Sequence, residues 1–422
     1  MSAFDRVIGY ERIKEELMQI CDMIHNKKVY DEIGAKLPHG ILLSGNPGLG
    51  KTLLAKSFID ESGLKAYTVR RNKASDNFID EITATFEKAK KNEPSIVLLD
   101  DMDKFANEDA SHRDAEEYIA VQTGIDDVKN NEVFVIATVN DRRKLPHSLI
   151  RSGRFDRKIE ITCPKEDDAR AIIEYYLSDK KVSDSVNMED LSKMISYSSC
   201  AELETILNEA AIRAAYARKQ YVEMDDLVEA VLKMEYDSPD NYSKSSLESI
   251  RKTALHEAGH LVVCEALVPG SIGMVSIRPV TRNKTAGFTH GCKEFIEDYH
   301  SILVSLAGNS AVSMYYAEDY DSGSRSDIEK AVDIISNGVK NDATRGFAMM
   351  GIETEYNNIS ETSHARLEAV IQAELERFSL KAREILIKNR IFLEKATQAL
   401  MEKETLLYSD ICEIKKGVDV VV

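Results

Sequence analysis

The sequence predicts an α/β domain followed by an all-α remainder. Three features of its patterning predict it. Short apolar runs alternate with helical patterns over residues 1–165. Helix patterns separated only by short polar breaks fill residues 166–240. Past a polar linker at 236–246, residues 241–422 are again mostly helical. Three domains with the boundaries 1–165, 166–240 and 241–422 are therefore expected.

In the first domain "GILLSG", "SIVLLDD" and "VFVIATVN" are continuous apolar runs, the pattern of strands buried on both faces of a parallel sheet. "KTLLAKSFIDES" and "FIDEITATFEKAKK" carry helical periodicity between them. The alternation is that of a doubly wound domain. In the second, "EDDARAIIEYYLSD", "MEDLSKMISYS", "AELETILNEAAIRAAYARKQ" and "EMDDLVEAVLKM" form a small helical bundle. "YDSPDNYSKSS" with Pro239 makes the linker. In the third, only "GMVSIRPVTRNKTAGFTH" alternates like a strand.

Composition excludes several function classes. With 43% apolar and 30% charged residues the chain is globular rather than disordered. A net charge of −17 argues against nucleic acid as the main partner, because phosphate binding needs a basic face. The six cysteines are scattered without a C-x-x-C pair, which points to a reducing cytoplasm. No secretory signal opens the chain, and no apolar run approaches the roughly 20 residues of a membrane span.

"GNPGLGKT" at residues 45–52 matches the P-loop pattern G-x-x-x-x-G-K-[ST] between a strand and a helix. Gly45, Gly48 and Gly50 let the backbone wrap a phosphate with its amides pointing inward. Lys51 would reach the β- and γ-phosphates of ATP, and the Thr52 hydroxyl would ligate Mg²⁺. "SIVLLDDMD" ends a strand at Asp100, placing a carboxylate beside the Mg²⁺. Asp101 follows, where an ATPase puts the group that orients the attacking water. Asn140 ends the next strand within reach of a γ-phosphate. Arg151 and Arg154 flank Gly153 with no acidic partner at helical spacing. That spacing alone suits solvated surface arginines as well as arginine fingers reaching a neighbouring subunit.

"KTALHEAGHLVV" contains H-E-x-x-H. His256 and His260 lie one turn apart on one helix face and can hold Zn²⁺. Leu255, Ala258, Val262 and Ala266 form an adjacent stripe that would bury the helix. Zinc lowers the pKa of a bound water to about 7, and Glu257 would take its proton and pass it to a leaving amine. A third protein ligand must come from elsewhere. Ser326 and Glu329 make a capping box, S-x-x-E, which would start a helix with Asp327 as its first residue. An acid in a first turn is by itself only a favourable charge against the helix dipole.

The order of "FDRVIGYERIKEEL", the P-loop, "FEKAKKNEPSIVLLDDMD", "IRSGRFDR", "LNEAAIRAA" and "HEAGH" resembles the AAA+ zinc proteases of the FtsH type, over residues 4 to about 405. The resemblance implies a AAA+ large domain, a helical lid and a helical zinc-metalloprotease domain. It also implies a hexameric ring, usually anchored by N-terminal membrane helices, that unfolds protein substrates with ATP and threads them into a proteolytic chamber. Carried over by position, the nucleotide site is Gly45, Asn46, Pro47, Gly48, Leu49, Gly50, Lys51 and Thr52, with Asp100, Asn140 as sensor, and Arg151 and Arg154 as arginine fingers. The zinc set is His256, His260 and Asp327 with Glu257 as base, and Thr285 to Thr289 make an edge strand for substrate peptide.

The sequence departs from that family at several places. The chain starts at the AAA+ module, so a soluble, cytoplasmic member or a trimmed N-terminus is expected. Asp101 replaces a catalytic glutamate, which implies slower ATP hydrolysis. The pore loop between Tyr67 and Phe86 is shortened; Phe78-Ile79 is the nearest aromatic grip, with Asp80 in the glycine's place. The second loop is reduced to "ANEDAS", Cys200 replaces a lid glycine, and Val312 and Ser313 replace a glutamate pair. These departures leave a second reading, an ATP-binding remodelling or scaffold protein with weakened threading or proteolysis.

Overall fold

The computed structural model describes residues 2–71, 77–106, 115–240, 242, 246–282, 284–293, 297–316, 324–341 and 361–422. The chain divides into two compact units, one of Met1–Lys180 with Tyr197–Leu207, the other of Lys181–Ser196 with Asn208–Val422. The stretch 166–240 therefore contributes to both units.

The first unit is built on five parallel strands: β1 Gly40–Ser44, β2 Lys65–Val69, β3 Ser95–Leu99, β4 Val133–Val139 and β5 Arg157–Glu160. Their order is β2-β3-β4-β1-β5. The three apolar runs seen in the sequence are β1, β3 and β4, and every residue of each is buried. The edge strands β2 and β5 are mostly exposed or half-buried, so they carry no continuous apolar run to betray them. Helices Phe78–Lys91 and Ala115–Asp127 close one core around Phe78, Phe86, Phe105, Val121 and Ile125. Phe78 packs edge-on to Phe105 with ring centroids 5.3 Å apart. It is a core residue, 2% exposed, and offers no aromatic grip for a pore. Most of "ANEDAS" lies outside the described residues.

The order β3-β4-β1 also explains where chemistry gathers. The P-loop follows β1, Asp100 follows β3 and Asn140 follows β4. Three adjacent parallel strands thus bring their carboxyl ends, and these residues, to one rim.

The second unit is organised around the helix Leu247–Leu267. Helices Asp298–Tyr315, Glu361–Lys388 and Arg390–Lys403 pack on it, and every residue from Ala254 to Ala266 is buried. Burial therefore goes all round this helix rather than along the one stripe the sequence suggested. A three-stranded antiparallel sheet completes the unit, in the order β7-β6-β8: β6 Ile272–Ser276, β7 Phe288–Gly291 and β8 Thr405–Leu407. The helix Met188–Met194 is tied to this unit by Asp190, which accepts bonds from the Ser409 amide at 2.8 Å and hydroxyl at 2.6 Å. The helix of Asp327 begins at Arg325 and runs to Asn341. Ser326 is thus inside the helix rather than its cap, and Glu329 pairs with Arg325 at 2.8 Å. Asp327 remains in the first turn. Part of the linker, residues 241 and 243–245, lies outside the described residues. Among the described residues, no helix is long and apolar enough to cross a membrane.

Candidate active sites

In the first unit Gly45, Gly48 and Gly50 hold φ of 152°, 80° and 79°, values that side chains resist. Gly48 must also stay bare: a β-carbon there would lie 2.9 Å from the Ser199 hydroxyl and 3.0 Å from the Ala201 methyl. The Ser199-Cys200-Ala201 segment thus lies against the loop, and the Ala201 amide donates to the Gly48 carbonyl at 3.1 Å. Asn46 and Pro47 are exposed, while Leu49 is buried beneath the loop.

Lys51 opens the following helix, and its ammonium donates to the carbonyls of Gly45 and Asn46, both at 2.7 Å. Burial pulls its pKa down, against the opposing charges of Asp101, Asp103 and Asp100. The Thr52 hydroxyl donates to Asp100 Oδ1 at 2.9 Å, and Thr138 donates to the same oxygen at 2.8 Å. The hydroxyl and carboxylate expected to share Mg²⁺ are therefore already side by side, and Asp100 is 2% exposed. Asp101 sits in the left-handed region, φ 56°, with its amide bonded to Thr138 at 2.8 Å. Its carboxylate is held by Lys104 at 2.7 Å and lies 3.8 Å from Arg70.

The two arginines differ. Arg151 is exposed. Arg154 is buried and grips Asp126 at 3.0 Å and 2.6 Å, while also donating to the Ser148 carbonyl. Its guanidinium holds the Asp126 carboxyl below the usual carboxylate range. The acidic partner lies on another element, 28 positions upstream, where helical spacing could not reveal it.

In the second unit His256, Glu257 and His260 lie in the buried centre of their helix. Nε2 of His256 and Nε2 of His260 are 3.0 Å apart. Asp327 Oδ2 lies 3.1 Å from the first and 3.4 Å from the second. Four ligands about 2.05 Å from a tetrahedral zinc would be separated by about 3.3 Å. The observed edges of 3.0, 3.1 and 3.4 Å lie close to that spacing, so these residues fit a zinc ion. Among the described residues it is the one His/Cys/Asp/Glu cluster that could hold a metal. The tautomer also fits: His260 Nδ1 faces the Val304 carbonyl at 2.8 Å, which keeps the proton there and frees the Nε2 lone pair. Burial alone would raise the Asp327 pKa, but hydrogen bonds and charge from His256 and His260 hold the carboxyl well below the ordinary range. Its ionised form is the one a metal needs.

Glu257 is buried, and burial raises its carboxyl against the pull of His260, His256 and Thr289. Thr289 of β7 donates to Oε2 at 2.8 Å.

Two glycines make the room. A β-carbon on Gly308 would lie 2.6 Å from Nε2 of both His256 and His260. One on Gly287 would lie 2.9 Å from Glu257 Oε1. Sequence reasoning assigned no role to Gly308. The available signal was a lone glycine inside the helical pattern "SILVSLAGNSAV", which marks a close approach.

Residues 41–163 match the family described as ATPase family associated with various cellular activities (AAA). The chain is 31% identical over 434 aligned positions to the ATP-dependent zinc metalloprotease FtsH of Caldicellulosiruptor bescii, covering 96% of this chain and 70% of that relative. It is 30% identical to the ATP-dependent zinc metalloprotease FtsH 3 of Symbiobacterium thermophilum, covering 96% and 69%. It is 29% identical to the ATP-dependent zinc metalloprotease FtsH of Leptotrichia buccalis, where it covers 98% of itself but spans 57% of the relative. Identity at this level, sustained across 96% of the sequence, makes the kinship plain: the chain belongs to the FtsH-type AAA+ zinc metalloproteases.

Proposed function

We propose that the chain is an ATP-dependent zinc endopeptidase that unfolds protein substrates and cuts them, working as a hexameric ring. The observation that carries this reading is the triangle of His256, His260 and Asp327 with Glu257 enclosed beside it. A zinc ion held there supplies Lewis acidity, polarising a scissile carbonyl and acidifying a water.

The chain's own residues do the rest. Glu257 takes the water's proton and delivers it to the leaving amine nitrogen. Burial disfavours its charged form, which suits a group that must hold the proton between the two halves of that task. β7 lies at the edge of its sheet, where an extended substrate backbone would pair without regard to sequence. In the first unit Lys51, Thr52 and Asp100 bind Mg²⁺-ATP, Asp101 orients the attacking water and Asn140 senses the γ-phosphate. Arg151, which is exposed, serves a neighbouring subunit's nucleotide, which is what calls for a ring. Arg154, by contrast, is buried and taken up by Asp126 within its own chain, and is not free to reach across. All six cysteines are free thiols, which fits a reducing cytoplasm.

The test is casein degradation by the full chain with and without ATP and zinc, beside Glu257→Gln. ATP-stimulated cutting that is lost in the variant supports the proposal. ATP turnover with no cutting under any condition would sink it. That second outcome would favour a remodelling or scaffold protein, a reading supported by the tether of Asp101 to Lys104 and by the buried Phe78.

A further inference from the structure

We propose that Thr289 is a positioning residue for Glu257, turning its carboxylate so that Oε1 is left to take the proton. The proposal rests on the reading of Glu257 as the general base. The Thr289 hydroxyl donates to Glu257 Oε2 at 2.8 Å and lies 3.4 Å from the Glu257 carbonyl oxygen. A carboxylate's terminal torsion is broad and nearly two-fold, so without such a bond its two oxygens would exchange places freely. Gly287 lets the β7 segment close in on the other side, with its α-carbon hydrogen where a β-carbon would come within 2.9 Å of Oε1. The β-branched threonine adds a restricted χ1, so its hydroxyl is aimed with little freedom.

β7 is itself braced from its opposite face. Side chains alternate along a strand, so Phe288 and His290 point away from Thr289. The Phe288 ring stacks on Tyr236 with centroids 3.6 Å apart and planes 12° from parallel. His290 shares hydrogen bonds with the Tyr236 hydroxyl at 2.7 Å and the Ser196 hydroxyl at 3.1 Å. The strand that carries the Thr289 hydroxyl is therefore fixed before any substrate pairs with it.

The step balances within the site. Oε1 takes a proton as the water oxygen bonds to the scissile carbonyl carbon. The same proton passes to the amine nitrogen as the C–N bond breaks, and the carboxylate is regenerated.

The experiment compares Thr289→Val and Thr289→Ser in the full chain with ATP and zinc, reading peptide cleavage and zinc content. Valine keeps the strand shape and backbone but loses the donor. We expect kcat to fall roughly tenfold or more. KM should stay within about twofold, because backbone pairing along β7 is untouched. Zinc should remain bound in the same ratio, and serine should restore most of kcat. In a Glu257→Asp background, whose shorter side chain draws away from Thr289, adding Thr289→Val should cause no further loss. Should the valine variant fail to fold, Thr289→Ala carries the same comparison. Wild-type kcat in Thr289→Val beside an inactive Glu257→Gln would overturn this role alone. So would a loss that appears in KM or zinc content instead of kcat, or one that adds fully in the double variant. Cleavage surviving in Glu257→Gln would instead strike at the general-base reading beneath it.

Discussion

A methyl group on Gly308 would sit 2.6 Å from the two nitrogens that face the metal position. Two effects of Gly308→Ala then compete. Inside a helix the change normally stabilises by about 0.5–1 kcal/mol. Against that stands a steric overlap with two imidazoles packed in a buried site. The overlap should dominate, because neither ring can retreat without leaving the triangle. We expect zinc content, measured by metal analysis, to fall at least tenfold and casein cleavage to vanish with it, while ATP turnover persists. Zinc bound at the wild-type level would show that the imidazoles have room to spare. Asp101 poses the opposite case, a side chain one methylene short of the glutamate that the family resemblance implies. It is also tethered to Lys104 at 2.7 Å. A displacement of about 1 Å can cost an oriented reaction up to about a hundredfold. Asp101→Glu should therefore raise the steady-state ATP turnover by roughly tenfold. No increase would mean that water positioning does not depend on that reach.

Whole elements were legible where their signal is local. The P-loop sits between a buried strand and a helix, and H-E-x-x-H lies within one helical turn, so adjacent residues carried both. The strands β1, β3 and β4 announced themselves because both faces are covered. The edge strands β2 and β5 did not, and β8 is only three residues long. The third metal-facing group, Asp327, lies 71 positions from His256, and only the family resemblance pointed to it. The proposed capping box placed the start of that helix two residues late, at Asp327 instead of Arg325, a difference within the ordinary uncertainty of a helix end. Long-range pairs were unreadable for a different reason: the grip of Arg154 on Asp126, the support of His260 by the Val304 carbonyl and the hydroxyl of Thr289 on Glu257 all join separate elements. Phe78 shows the converse error. Its position near a loop suggested an exposed grip, but its ring completes the first core.

At the scale of the whole molecule, among the described residues, one core gathers around Phe78, Phe86 and Phe105 in the first unit and a separate one around the metal-bearing helix in the second. A chain with separate cores need not unfold in a single step, and one titrating group should move only one of the transitions. His290 lies in the second unit, where burial pushes its pKa down from 6.5 to about 4. Its ring is occupied on both nitrogens by Tyr236 and Ser196. The sign follows from the proton balance. Below pH 6.5 the unfolded chain binds a proton that the folded site refuses, so stability is complete above 6.5 and falls until about pH 4. The slope is about 1.4 kcal/mol per pH unit, or about 2 kcal/mol by pH 5. Glu257, raised by burial, works the other way and gains stability as the pH falls. The histidine is therefore isolated by comparing wild type with His290→Gln, which keeps polar groups but does not titrate. Urea unfolding at pH 7 and pH 5 should show the transition of the second unit losing about 2 kcal/mol more in wild type than in the variant. The transition of the first unit should respond equally in both proteins. Equal shifts of the second transition would mean that His290 already accepts its proton in the folded chain.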